Sequence, residues 1–73
     1  MKANSDEGRT VTVLYRNHRG EARERRIQPL ELRFGSNQWH PEAQWLLHCT
    51  DVERGGAERT FAMSQILRWG PAP

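Results

Sequence analysis

At 73 residues the chain has room for one domain. Its single cysteine, Cys49, excludes an internal disulfide and fits a reducing compartment; the opening MKANSDEGRT has no apolar run of the kind a signal peptide or membrane span needs, so a cytoplasmic location and no membrane partner are expected. The net charge is only +2, but ten of the eleven basic residues are Arg, whose flat donor fork grips carboxylate, phosphate and base edges where Lys offers a point charge.

Residues 1–8 are polar and read as a flexible lead. TVTVLYR (10–16) places Val11, Val13 and Tyr15 on one face at a strand's alternation. NHRGE (17–21) carries Asn and Gly and reads as a turn. ARERRIQPLELRFG (22–35) is a second extended run whose phase breaks in the middle: Leu30, Leu32 and Phe34 share one parity and Ile27 has the other. Pro29 lies between them and cannot donate to a ladder, so a bulge or bend near Gln28–Pro29 is expected to return both apolar sets to one interior. SNQWHPE (36–42) is a loop. AQWLLHCTD (43–51) reads as a strand with Trp45, Leu47 and Cys49 on one face and Leu46 and His48 on the other. Gly55-Gly56 marks a hairpin turn, and RTFAM (59–63) returns. SQILRWG (64–70) reads as one helical or 3-10 turn capped by Ser64, followed by a tail from Gly70. The expected organisation is a small all-β barrel of about five strands over residues 9–69. Its core is drawn from Val11, Val13, Tyr15, Ile27, Leu30, Leu32, Phe34, Trp45, Leu47, Phe61, Ile66 and Leu67. A core of that size fills a small barrel without enclosing a deep pocket, so binding is expected on a surface or at a mouth.

Five Arg lie between Arg16 and Arg26, opposed only by Glu21 and Glu24. They make either a solvated charged hairpin or an anion-binding face for phosphate or nucleic acid. Arg59 is the sharpest candidate. It shares a strand face with Phe61, and an unpaired Arg inside a core is energetically forbidden. It therefore sits at a barrel mouth, pairs with an acid such as Asp51, or binds an anion. Trp39, in a polar loop beside His40, has the chemistry for base stacking; packed on the barrel as a lid, or buried in self-association, it would do something plainer. Trp69 is expected to cover the barrel end. His18, His40, His48 and Cys49 lack zinc-ligand spacing, and adjacent His48 and Cys49 point to opposite faces. No phosphate loop or nucleophile–base pattern is present. Neither a metal, a cofactor nor an enzymatic activity is expected.

With the strands placed, the chain from residue 9 to 68 resembles the WYL domain family. The matching pieces are Tyr15, RIQP (Arg26 to Pro29), WLL (Trp45 to Leu47) with Asp51, and RTF (Arg59 to Phe61) ahead of Ile66. The resemblance implies an Sm-like β-barrel. It also implies a regulatory setting in bacterial or phage transcription, where such domains follow a helix-turn-helix and sense nucleotide-type or single-stranded nucleic-acid ligands through Arg near the barrel mouth. Three features depart from the family. Leu46 stands where the motif has Tyr, removing a ring and hydroxyl. The loop FGSNQWHPEAQ is distinctive. No helix-turn-helix is found, so the module is expected to act alone, compete for its ligand or dock on a partner regulator. Residue pattern and resemblance together single out Arg59, Arg26, Trp39, His40, Leu46, His48 and Tyr15 as binding residues. The other function class is a protein-interaction module that self-associates or docks through barrel edges, Trp39 and Leu46.

Overall fold

The computed structural model describes residues 9–70, so the expected flexible lead 1–8 and the tail beyond Gly70 lie outside the described residues. Five strands form one antiparallel sheet: β1 (Val11–Arg16), β2 (Ala22–Gly35), β3 (Gln44–Asp51), β4 (Ala57–Ala62) and β5 (Ile66–Trp69). Their order across the sheet is β4-β3-β2-β1-β5. Two 3-10 turns, Val52–Arg54 and Met63–Gln65, precede β4 and β5.

Local chemistry sets the turns. Between β1 and β2 the Asn17 side-chain Oδ1 accepts from the backbone N–H of Arg19 (2.9 Å) and of Glu21 (3.0 Å), while Gly20 takes a φ of 84°, which a side chain would strain. Between β3 and β4 the two glycines do not make a bare two-residue hairpin. Asp51 caps the 3-10 turn, its Oδ1 accepting from the Glu53 N–H at 3.1 Å. Gly55 and Gly56 then reverse the chain at φ 70° and 80°, and the Gly56 N–H donates to the Asp51 carbonyl at 2.9 Å.

β2 bends where its phase breaks. The register with β3 shifts between Pro29 and Glu31, leaving Leu30 as the extra residue. Ile27, Pro29, Leu32 and Phe34 consequently face the same side, opposite Asp51, Cys49, Leu47 and Trp45. Sharing a face did not bury them all. Leu30, Leu32, Phe34 and Trp45 are 49, 53, 57 and 52% exposed, and Leu67 is exposed as well, so these five core assignments are corrected. The reason lies in strand lengths. β1 covers β2 only from Ala22 to Ile27, and β4 covers β3 only from Leu46 to Asp51. Past Ile27 the β2–β3 hairpin runs on without β1, its last pairs, Phe34–Trp45 and Gly35–Gln44, pass the end of β4 as well, and Trp45 meets Phe34 edge-on (centroids 5.3 Å, 73°).

The C-terminal segment also differs from expectation. The 3-10 turn is confined to Met63–Gln65 and has no side-chain cap; Ser64 instead donates through Oγ to Gln44 Oε1 at 3.4 Å. Residues Ile66–Trp69 are a strand, because the outer edge of β1 offers a ladder. Arg68 then reaches over β1 to Glu24 at 2.6 Å, both standing beside Leu14 in register.

The core is Val13, Ile27, Leu47, Cys49 and Phe61, fringed by Val11, Tyr15, Met63 and Ile66. Tyr15 on β1 stacks on Phe61 of β4, centroids 4.0 Å apart at 19°. Two strands separate β1 from β4 in the sheet, so this contact is made across the hollow of a curled sheet. The all-β, five-stranded expectation holds. The closed barrel is not formed, since no ladder joins β4 to β5 among the described residues.

Burial pushes the Cys49 thiol from its ordinary 9.0 up to about 11; the Asp51 charge adds to the rise and Arg59 opposes it. Burial also raises Tyr15, against the pull of Arg25 and with a smaller upward push from Cys49. Both groups hold their protons longer when folded than when unfolded. Stability is therefore complete below the unfolded thiol's value and declines as pH climbs through the range between the two. From Cys49 alone, urea unfolding is expected to give a stability about 1.4 kcal/mol lower at pH 10 than at pH 7. A flat profile over that interval would overturn the assignment.

Candidate functional site

β4 alternates across the rim of the hollow. Phe61 pairs with Leu47 and enters the core; Arg59 pairs with Cys49 on the same face but lies where the hollow opens, and is exposed. The Asp51 carboxylate, 1% exposed, does not pair with Arg59, contrary to one expected alternative. Its Oδ2 is taken by Arg25 Nη1 at 3.4 Å and Arg54 Nε at 3.7 Å. Asp51 lies opposite Ile27, and Arg25 follows two residues away on that same face. Arg54 curls back from the 3-10 turn. With the carboxylate engaged by two guanidinium groups and a backbone N–H, Arg59 has no acid within ion-pair distance among the described residues.

Arg59 lines an open groove of about 1500 Å³. Six Arg border it: Arg16, Arg19, Arg23, Arg25, Arg54 and Arg59; three carboxylates, Glu21, Asp51 and Glu58, oppose them. Arg25 and Arg54 are committed to Asp51, and Arg23 stands 3.8 Å from Glu21. Arg16, Arg19 and Arg59 have no such partner among the described residues. The groove thus keeps positive charge that nothing within the described chain neutralises. It also holds Arg25 Nε, a buried donor without a hydrogen-bond partner there.

Five of the seven residues singled out from sequence border this groove: Tyr15, Trp39, His40, His48 and Arg59. Tyr15 is half-buried on the inner face, stacked on Phe61. His48, on the opposite face of β3, sets Nδ1 3.4 Å from Thr60 Oγ1 and Nε2 3.5 Å from Glu58. The groove therefore takes in both faces of β4, the free edge strand. Trp39 is 75% exposed. Its loop is shaped by Asn37, whose Oδ1 accepts from the N–H of Trp39 (2.9 Å) and of His40 (2.7 Å). The indole is thus displayed by a knotted turn, not laid on the sheet as a lid.

Arg26 and Leu46 are not brought to the groove. Arg26 pairs with Thr12 and faces away from Arg25. Leu46 is buried, opposite Ala62. The sequence marks Arg25 only as one of the five Arg from Arg16 to Arg26, and it does not single out Asn37. Arg25 shares parity with Ile27, a signal that places it on the inner face; Asn37, two residues before Trp39, is a standard Asx-turn former. Among the described residues no His, Cys, Asp and Glu cluster of metal-binding size occurs, and no helix is long and apolar enough to cross a membrane.

The family model described as WYL domain matches residues 5–71 of the chain. No curated protein and no solved structure matches it.

Proposed function

The chain belongs to the WYL domain family, generally a regulatory and ligand-sensing domain of transcription regulators, and from that premise we propose that it binds single-stranded nucleic acid, or a nucleotide-type fragment of it, along the Arg-lined groove. One observation carries the reading: Arg16, Arg19 and Arg59, without an ion-pair partner among the described residues, line the same groove as Tyr15 and the displayed indole of Trp39. Guanidinium groups take phosphates, and an exposed ring takes a base, worth roughly 1–3 kcal/mol per stacked base. Enclosed small-molecule pockets run to about 300–1,000 Å³, and this open groove is larger. Its shape suits an extended strand better than one engulfed mononucleotide. The module works as a binder and not as a catalyst, in a bacterial or phage regulatory setting.

The test is fluorescence anisotropy of short labelled DNA and RNA single strands at two salt concentrations. Three neutralised phosphates give a slope of log affinity against log salt of about −2. Salt-insensitive binding, or none at high micromolar protein, would sink the proposal. Unlabelled mononucleotide as competitor separates the strand from its fragment.

A further inference from the structure

Beyond Ile27 the β2 strand leaves β1 behind. From Gln28 to Gly35 no described strand occupies that side, while β3 fills the other. This stretch, Leu30-Glu31-Leu32-Arg33-Phe34, keeps three large apolar side chains about half exposed on alternate positions. The two between them are oppositely charged, and Arg33 already reaches Glu31 along the strand at 2.7 Å, with both largely in solvent. An open edge with an apolar face is a template for another strand.

We infer that this edge pairs antiparallel with the same edge of a second copy of the chain, about a two-fold axis through Leu32. The register follows from the residues. Centred on Leu32, Leu32 meets its own counterpart, Leu30 meets Phe34 of the other copy, and Glu31 meets Arg33 twice over. Centred one residue earlier, Glu31 meets Glu31; one residue later, Arg33 meets Arg33. Like charges directly opposite one another destabilise a pair, and opposite charges and apolar partners stabilise it. Only the Leu32 axis satisfies both faces at once. A two-fold contact must be self-complementary, and this pentapeptide reads as its own complement. Each Arg33 exchanges an exposed partner on its own strand for one across the axis. A strand contact this short falls at the small end of specific interfaces, so the dimer dissociates in the micromolar range instead of being permanent. It lies on the arm away from β4 and does not depend on the groove's ligand.

Sedimentation velocity across micromolar to sub-millimolar protein tests the pairing, with Glu31→Arg, Arg33→Glu and the double exchange. Wild type is expected to show concentration-dependent dimer. Each single change sets four like charges around the axis and weakens dimerisation roughly tenfold or more. The double exchange restores it, because position 31 again meets its opposite at 33. An equimolar mixture of the two single variants also pairs, as a heterodimer, a rescue in trans that altered folding cannot mimic. A wild type monomeric throughout, or a dimer indifferent to the charge changes, overturns the inference.

Discussion

Arg59→Ala lowers the affinity for a labelled single strand by about tenfold to a hundredfold, the range set by hydrogen bonds to a charged group at about 1.5–3 kcal/mol. The salt slope falls with it by about 0.7, one phosphate's share on a single strand. Arg59 has no acid within ion-pair distance among the described residues. Its neighbours on the inner face are Cys49, which gives it no charge partner, and Asp51, already held by Arg25 and Arg54. A phosphate arriving there meets a guanidinium with no acid at ion-pair distance among the described residues, so none of those ion pairs has to break first. Arg26→Ala is the matching control. It removes the same charge from the same sheet, but from the face turned away from the groove. It is expected to change affinity by less than about twofold, the residue of long-range attraction at moderate salt. Equal losses from the two variants would place the ligand elsewhere.

Asp51→Ala destabilises the fold by about 2–4 kcal/mol, read as a lower midpoint in urea unfolding. The carboxylate is fully buried and does three jobs: it caps the 3-10 turn, anchors Arg25 and anchors Arg54. Loss of a cap costs about 1 kcal/mol. Breaking a buried pair from one side costs more, about 3–5 kcal/mol when the remaining charge stays buried. Here it is less, because Arg25 retains 22% exposure and Arg54 about half. A chain this small has little stability in reserve, so the loss should be visible as partial unfolding near 37 °C. Asp51→Asn keeps an acceptor for the Glu53 N–H and recovers part of the stability. It also removes a negative charge from the groove and releases Arg25, so its ligand affinity rises while its stability falls. Opposite signs in the two measurements separate this account from a simple loss of structure. Unchanged stability in Asp51→Ala would refute it.

The strands were legible because their causes are local. The alternation of Val11, Val13 and Tyr15 names a face without reference to anything distant. Pro29 between two out-of-phase apolar sets predicts a bulge, and the register shift between Pro29 and Glu31 lies there. Asn17 with Gly20 makes its own turn. β5 was read as a helical turn because ILRW has no strong pattern of its own; it becomes a strand only because β1 has an edge to offer. The assignments that failed were those needing a partner's position. Trp45, Leu32 and Phe34 lie on the predicted face, yet whether that face is covered depends on where β1 and β4 stop. In the same way Arg59 was correctly placed beside Phe61, but the sequence holds two other Arg able to reach Asp51 and no local signal ranks the three.

Parity and turn chemistry, then, were determined by the sequence by itself, and with them the all-β class and the inner face on which Arg59 stands. They follow from each residue's own geometry and that of its immediate neighbours. Only the tertiary structure decided that the curled sheet stays open among the described residues, that Asp51 goes to Arg25 and Arg54, that Arg26 and Leu46 turn away from the groove, and that no described strand pairs with the far half of β2 on the β1 side. Each of these depends on which groups from distant parts of the chain lie within a few ångströms of one another, and on strand lengths that end where no local signal marks an end.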